Sequence, residues 1–239
     1  MSSQQISAAT SGNRLLAALP ADEHVRLQPY LDTVHLALKQ VLYRDQQPIS
    51  HVYFAHDCVA SVLQLAEDAE PVEVATVGRE GMVGIPLLLG TSTTPGMSLC
   101  QVPGAASRMA ADDFRRLVQP GTALHDLLHR YIQALLILMA QNAACNSRHP
   151  LEQRCARWLC LTHDRVNGDA LTLTQEFLGQ MLDVRRAGVS EVASRLQAEG
   201  LIQYSRGRIE VADRAGLEAR ACDCYRIIRD AFEQMLEPN

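Results

Sequence analysis

The chain has 239 residues, of which 47% are apolar and 21% charged, a composition that can bury a core and suits one large domain or two. Its 22 basic and 27 acidic side chains leave a net charge of −5, which argues against a polybasic coat for nucleic acid or membrane. Seven cysteines, an odd number, and a polar start without an apolar signal core point to a reducing, cytoplasmic setting.

Residues 1–12, rich in Ser, Gln and Thr, read as a disordered tail. Asn13 is placed to cap a short helix carrying Leu15, Leu16 and Leu19, and Pro20 to open a second over 21–31. From Thr33 to about Met109, short apolar runs at 40–43, 51–54, 59–65, 72–77 and 98–102 alternate with breakers such as Gln47-Pro48, Gly78, Gly90 and Pro103-Gly104. Closely spaced strands of this kind suggest an antiparallel roll, and they set a first domain at 13–122.

After Pro120-Gly121 the period turns helical. Leu124, Leu128, Tyr131, Leu135, Leu138 and Asn142 step by four and three, while Leu127, Ile132, Leu136 and Met139 fill a second face. One face can cover the roll and the other meet a partner. The first stripe is expected to form a homodimer interface on a helix over 123–147, against the alternative of a helix buried inside one chain. His129, Arg130 and Gln133 interrupt the most apolar stretch, 127–140, which is too short to span a membrane.

A break at Ser147, His149 and Pro150 opens a last domain over 148–239, beginning with a helix at 151–163 that holds the only tryptophan, Trp158. Thr174 caps a helix over 175–182 with Phe177, Leu178, Met181 and Leu182 inward and Gly179 at a close helix contact. Asp183 sits in the turn, where a left-handed backbone is expected. A second helix over 185–199 buries Val189, Val192, Ala193 and Leu196 and leaves Arg185, Arg186, Ser190, Glu191 and Ser194 outward, until Gly200 stops it. Apolar residues at 201, 202, 204, 209 and 211 then flank Ser205-Arg206-Gly207-Arg208, a hairpin with two arginines at its tip.

Helix, tight turn, polar-faced helix and basic hairpin describe a winged helix-turn-helix. Arginine bonds guanine bidentately, Ser and Glu meet other base edges, and hairpin cations neutralise phosphates. The expected contacts to double-stranded DNA are therefore Thr174, Gln175, Arg185, Arg186, Ser190, Glu191, Ser194, Arg206 and Arg208. Between Val184 and Arg208 five arginines face only Glu191 and Glu199, a local positive excess within an acidic chain.

Leu173-Thr174-Gln175-Glu176-Phe177-Leu178-Gly179, with Val189-Ser190-Glu191-Val192 and Gly200-Leu201-Ile202, following a roll and a long apolar helix, resembles the Crp/Fnr superfamily of bacterial transcription regulators over roughly residues 14–212. The resemblance implies an α+β chain: a cyclic-nucleotide-binding-like antiparallel β-roll (a double-stranded β-helix) as sensor, a long dimerisation helix, and a C-terminal winged helix-turn-helix reading a palindromic operator. RNA polymerase is implied as a further partner if the protein activates.

The departures from that family matter. Cyclic-nucleotide-binding members carry a glutamate for the ribose and an arginine-serine pair for the phosphate, whereas no charged residue lies between Gly81 and Gln101 and Pro95-Gly96 stands where the arginine pair would align. Cyclic AMP is therefore not expected to bind, and the effector and its pocket stay unassigned. Iron-sulfur members carry N-terminal cysteines, while the first cysteine here is Cys58. The family's usual recognition-helix arginine and glutamate positions align with Glu191 and Ala187, which implies a different operator.

The remaining constellations are read as structural. His51, His56 and Cys58 are lone candidates for haem and more in keeping with ordinary residues. Cys222-Asp223-Cys224 lacks further ligands near in sequence, and Cys224 falls on the buried face of an amphipathic helix over 214–236. His125 and His129, four apart, have no third donor nearby. No metal and no cofactor are expected. Without a nucleophile triad, phosphate loop or paired carboxylates, no enzyme is expected either. The competing class is a roll-based signalling or protein-interaction module without sequence-specific DNA binding.

Overall fold

The computed structural model describes residues 12–65, 71–205 and 207–237, so most of the expected tail lies outside the described residues. Asn13 opens the fold as a buried cap. Its carboxamide oxygen accepts from the amides of Leu15 and Leu16 at the start of α1 (Arg14–Ala17), and its Nδ2 donates to the carbonyls of Ala55 and Gly81 at 2.9 Å each. One side chain thus caps a helix and fastens it to the roll. Helix α2 (Ala21–Leu27) is shorter than expected, because Pro29 tightens the following turn into a 3₁₀ segment over Gln28–Tyr30.

Among the described residues the roll has eight strands: β1 (Asp32–Leu36), β2 (Val41–Tyr43), β3 (His51–Ala55), β4 (Val59–Gln64), β5 (Val72–Val77), β6 (Met82–Val83), β7 (Met97–Val102) and β8 (Gly104–Ala110). They form two four-stranded antiparallel sheets, ordered β1-β8-β3-β6 and β2-β7-β4-β5. The five expected runs all lie on strands, and their inward residues, such as Val52, Phe54, Val59, Leu63, Ala75 and Val77, meet in one core. Strand β8 carries small residues apart from Arg108 and the buried Met109, yet lies between two partners, with Ala106 opposite Val34 and Ala55.

Helix α3 (Ala111–Leu117) leads to α4 (Ala123–Arg148). The start of α4 is held from outside the helix. Glu23 of α2 accepts from the free amides of Ala123 and Leu124 at 2.7 and 3.0 Å, and Thr122 caps His125. A carboxylate here satisfies orphan donors and meets the positive end of the helix dipole.

The orientation of α4 corrects the sequence reading. Leu124, Leu128, Tyr131 and Leu138 have no exposed surface within the single chain and Leu135 is buried as well. Tyr131 donates to the carbonyl of Met82, and Asn142 donates to the carbonyl of Val74. The expected interface stripe therefore packs on its own roll. The regularity that suggested a partner came from covering a sheet, because four-three spacing marks any buried helix face. The outward face carries His129, Gln133, Leu136 and Ala140, with Leu136 56% exposed.

The last domain comprises α5 (Leu151–His163), β9 (Ala170–Thr172), α6 (Gln175–Met181), α7 (Arg186–Ala198), β10 (Ile202–Ser205), β11 (Arg208–Val211), α8 (Arg214–Arg220) and α9 (Cys224–Gln234). The single helix expected over 214–236 is two. Ala221 leaves helical geometry (φ −70°, ψ 154°) and α9 begins at Cys224. The break lets α8 pack on α5 while α9 lies along α4, where Arg130 donates to the carbonyl of Met235 and the rings of Tyr131 and Phe232 sit 6.2 Å apart.

Candidate nucleic-acid interface

The turn between α6 and α7 is built from three local choices. Thr174 caps α6 by accepting from the Phe177 amide at 3.1 Å. Gly179 sits where an added Cβ would lie 2.9 Å from the carbonyl of Val184, so only a glycine allows that approach without a shift. Asp183 adopts φ +51°, the left-handed conformation expected of it. Helix α7 then buries Val189, Val192, Ala193 and Leu196 against its neighbours.

The opposite side of α7 is open. Arg185, Arg186, Glu191 and Ser194 are exposed, Ser190 is half-buried, and the hydroxyl of Ser194 donates to the carbonyl of Ser190 at 2.8 Å. Thr174 is exposed and Gln175 half-buried at the start of α6. On the wing, Gly207 takes φ +79° at the tip, and Arg208 is exposed 3.9 Å from Glu210. Arg206 lies outside the described residues. Strand β9 adds a third strand to the wing, in the order β10-β11-β9.

The charges on this face differ in kind. Arg195 is held between Glu152 and Glu191 at 3.6 Å each, and Arg220 is paired with Glu152 and Glu199. The side chains of Arg185 and Arg186 make no ion pair and no hydrogen bond with any described residue. Both stand at the start of α7, whose N-cap, Arg185, supplies no capping side chain. Two cations at the positive end of a helix are unfavourable by about 0.3–1 kcal/mol each until an anion joins them. An anion at this helix start would offset that cost.

This geometry agrees with a match in sequence. Residues 153–220 fit the family model described as Crp-like helix-turn-helix domain. The C-terminal part of the chain is a Crp-like helix-turn-helix domain. No curated protein matches the chain.

Among solved structures, FixK2 from Bradyrhizobium japonicum is 13% identical with a TM-score of 0.67, covering 80% of this chain and 98% of that one. A crp/fnr family regulator from Eubacterium rectale is 14% identical with a TM-score of 0.65, covering 89% and 97%. A CRP family transcriptional regulator from Thermus thermophilus is 19% identical with a TM-score of 0.64, covering 79% and 96%. The roll, long helix and Crp-like domain thus share one fold with these regulators. A Crp-like helix-turn-helix on this fold is the build of a DNA-binding transcription regulator.

The Crp-like domain is wired to the roll through buried polar contacts. Glu80 accepts from Nε of Arg165 at 2.8 Å, both nearly inaccessible, and Arg79 donates to the carbonyl of Val166 at 2.6 Å. Asn142 accepts from Arg157 at 2.6 Å. Glu73 of β5 accepts from the indole of Trp158 at 2.8 Å and bonds the Ser61 hydroxyl at 2.6 Å. Burial pushes the Glu73 carboxyl up to about 7, against hydrogen bonds that pull it down.

Beside Glu73, between the roll and α4, lies a cavity of about 550 Å³ lined mainly by apolar side chains such as Val62, Val74, Ile85, Pro86, Leu135 and Met139. The described residues around it bring one carboxyl, Glu73, and no Lys or Arg. Of the lone roll candidates for haem, His51 and His56 bond the hydroxyls of Ser50 and Ser107 at 2.9 and 2.8 Å, and burial pushes the Cys58 thiol up to about 12. His125 and His129 have ring centroids 4.3 Å apart on the surface of α4, with the Nδ1 of His129 on the carbonyl of His125.

Proposed function

We propose that the chain is a homodimeric transcription regulator and not an enzyme, in which the roll (13–122) senses, the long helix (123–147) dimerises and residues 148–239 read a palindromic DNA operator. The observation that carries this reading is the Crp-like domain with two arginines, paired with no described residue, at the exposed start of α7. Arg186 reads a base edge in the major groove, with Arg185, Ser190, Glu191 and Ser194 around it, while Thr174, Gln175, Arg206 and Arg208 hold the backbone. Glu191 is available for a cytosine amino group once Arg195 turns fully to Glu152, a rearrangement between exposed, weakly coupled charges.

Dimerisation uses the outward face of α4 around Leu136, since the inward stripe is occupied. A two-fold axis along paired α4 helices sets two α7 helices on one side of the duplex, with half-sites about 34 Å apart. RNA polymerase is the partner of a dimer that activates.

The effector belongs in the cavity between roll and α4. Its apolar lining and single carboxyl favour an apolar or weakly basic small molecule and disfavour a cyclic nucleotide, whose buried phosphate would face Glu73 without a counter-charge. A mobility-shift assay on the upstream region of the gene, with and without excess unrelated duplex, tests the reading. Retention that survives the competitor supports it, and equal loss to any duplex opposes it.

A further inference from the structure

The break between α8 and α9 brings two cysteines to the end of α4. Cys145, on the last turns of α4, and His149, its C-cap, are one helical turn apart and face the same side. Across from them stand Cys222, between α8 and α9, and Cys224, the first residue of α9. The Cys145 and Cys222 sulfurs are 3.4 Å apart, and the Cys224 sulfur is 3.6 Å from Nδ1 of His149. The four donor atoms all lie within 4.8 Å of one another, and the three thiols are buried. Among the described residues this is the only group of three or more His, Cys, Asp or Glu donors so gathered.

We propose that Cys145, His149, Cys222 and Cys224 form a binding site for a single Zn²⁺ ion. Three thiolates and one imidazole are a structural zinc donor set, and Zn–S bonds of about 2.3 Å in a tetrahedron place sulfurs about 3.8 Å apart. The 3.4 Å between the Cys145 and Cys222 sulfurs is a few tenths shorter than that edge, and all four donors lie within 4.8 Å, so small adjustments would close them on one ion. A two-iron cluster divides its donors between two metals and spreads them wider than a single ion does, so one tetrahedral ion fits this grouping better. The sequence hid the site because its halves are about 75 residues apart.

The ion would sit where α4 turns into α5, between the roll and the Crp-like domain. It would fasten the first residue of α9 to the last turn of α4, and so hold α9 along α4 through the contacts of Arg130 and Tyr131. All four ligands fall outside the residues matched by the family model, either before or after it, so the site is an addition to the common domain. Because Zn²⁺ binds the folded arrangement, its loss would loosen α9 before it unfolds the domain.

The test uses the full-length chain purified under reducing conditions, loaded with Zn²⁺ and then dialysed. Elemental analysis is expected to give one zinc per chain, and Co²⁺ in its place the intense visible bands of a tetrahedral ion with thiolate charge transfer. Cys224→Ser and His149→Ala should each lower Zn²⁺ affinity at least about tenfold, with Cys58→Ser as a control that keeps it. Hydrogen exchange should rise in α9 when a chelator removes the ion. Absence of bound zinc in folded, fully reduced protein would overturn the proposal, as would an octahedral Co²⁺ spectrum. A Cys145–Cys222 disulfide that persists in reductant would overturn it too.

Discussion

At the scale of single residues, the two arginines at the start of α7 are the sharpest feature. Arg185 and Arg186 stand at the unfavourable end of a helix dipole, an arrangement that an anionic surface would relieve. Arg186→Ala is expected to cost about 1–3 kcal/mol in operator binding and to relax preference at one base position, as read by competition against a randomised operator library. Arg208→Ala is expected to weaken all sequences alike and to lower the salt dependence by about one unit. Uniform loss with Arg186→Ala would make it a backbone contact instead. Asp183, three residues before Arg186, makes no ion pair with it.

Glu73 allows a second test at this scale. Its folded-state carboxyl is raised by burial from the ordinary 4.5 to about 7, so between those values the folded chain holds a proton that the unfolded chain releases. The associated stability is complete below about pH 4.5 and is lost as pH rises through about 7. Glu73→Gln keeps an acceptor for Trp158 and removes the titration. The melting temperature of the variant relative to the parent should rise over that window. A constant difference would contradict the assignment.

At the scale of elements, α4 shows where sequence patterning stops. The stepping of Leu124, Leu128, Tyr131, Leu135, Leu138 and Asn142 correctly gave a helix, but periodicity reports that a face is buried and does not say against what. Truncating the inward face by Leu138→Ala should destabilise the isolated chain by about 2–5 kcal/mol in denaturant unfolding. Leu136→Glu, on the outward face, should leave that stability within about 0.5 kcal/mol and, with the proposed α4 interface, give a monomer in light scattering where the parent gives a dimer. If Leu136→Glu stays dimeric, the interface lies elsewhere.

The strands that escaped the sequence reading share a cause. β8, with its run of Ala, Ser, Arg and Met, has weak strand propensity and is held by pairing to β1 and β3 on both sides. β9 is three residues long and depends on β11. Helix α7 and the wing were legible because Gly179, Asp183, Gly200 and Gly207 each mark a backbone need that is local to the chain. The split of α8 from α9 had no glycine or proline to announce it, since the segment is placed by contacts with α4 and α5. The cysteine and histidine cluster was invisible for the same reason: its partners meet only after the chain folds back on itself.

At the scale of the molecule, the roll and the Crp-like domain are joined by buried polar links rather than by an apolar seam alone. Glu73 to Trp158 joins a strand beside the cavity to α5, Asn142 of α4 bonds both Val74 and Arg157, and Glu80 to Arg165 joins the turn after β5 to the segment after α5. Groups of this kind have discrete arrangements, so occupation of the cavity can shift the domain between them. Breaking Glu80–Arg165 from one side leaves a buried charge unpaired, so Glu80→Gln should cost several kcal/mol of stability by calorimetry.

The central claim is sequence-specific DNA binding by a symmetric dimer. It is tested most directly by selecting the purified full-length protein on a library of random duplexes and sequencing what it retains. The account predicts an enriched inverted repeat whose half-sites are centred about one helical turn apart, bound by two chains per duplex. Retention of duplexes without any enriched motif, or of a single unrepeated site by one chain, would contradict it.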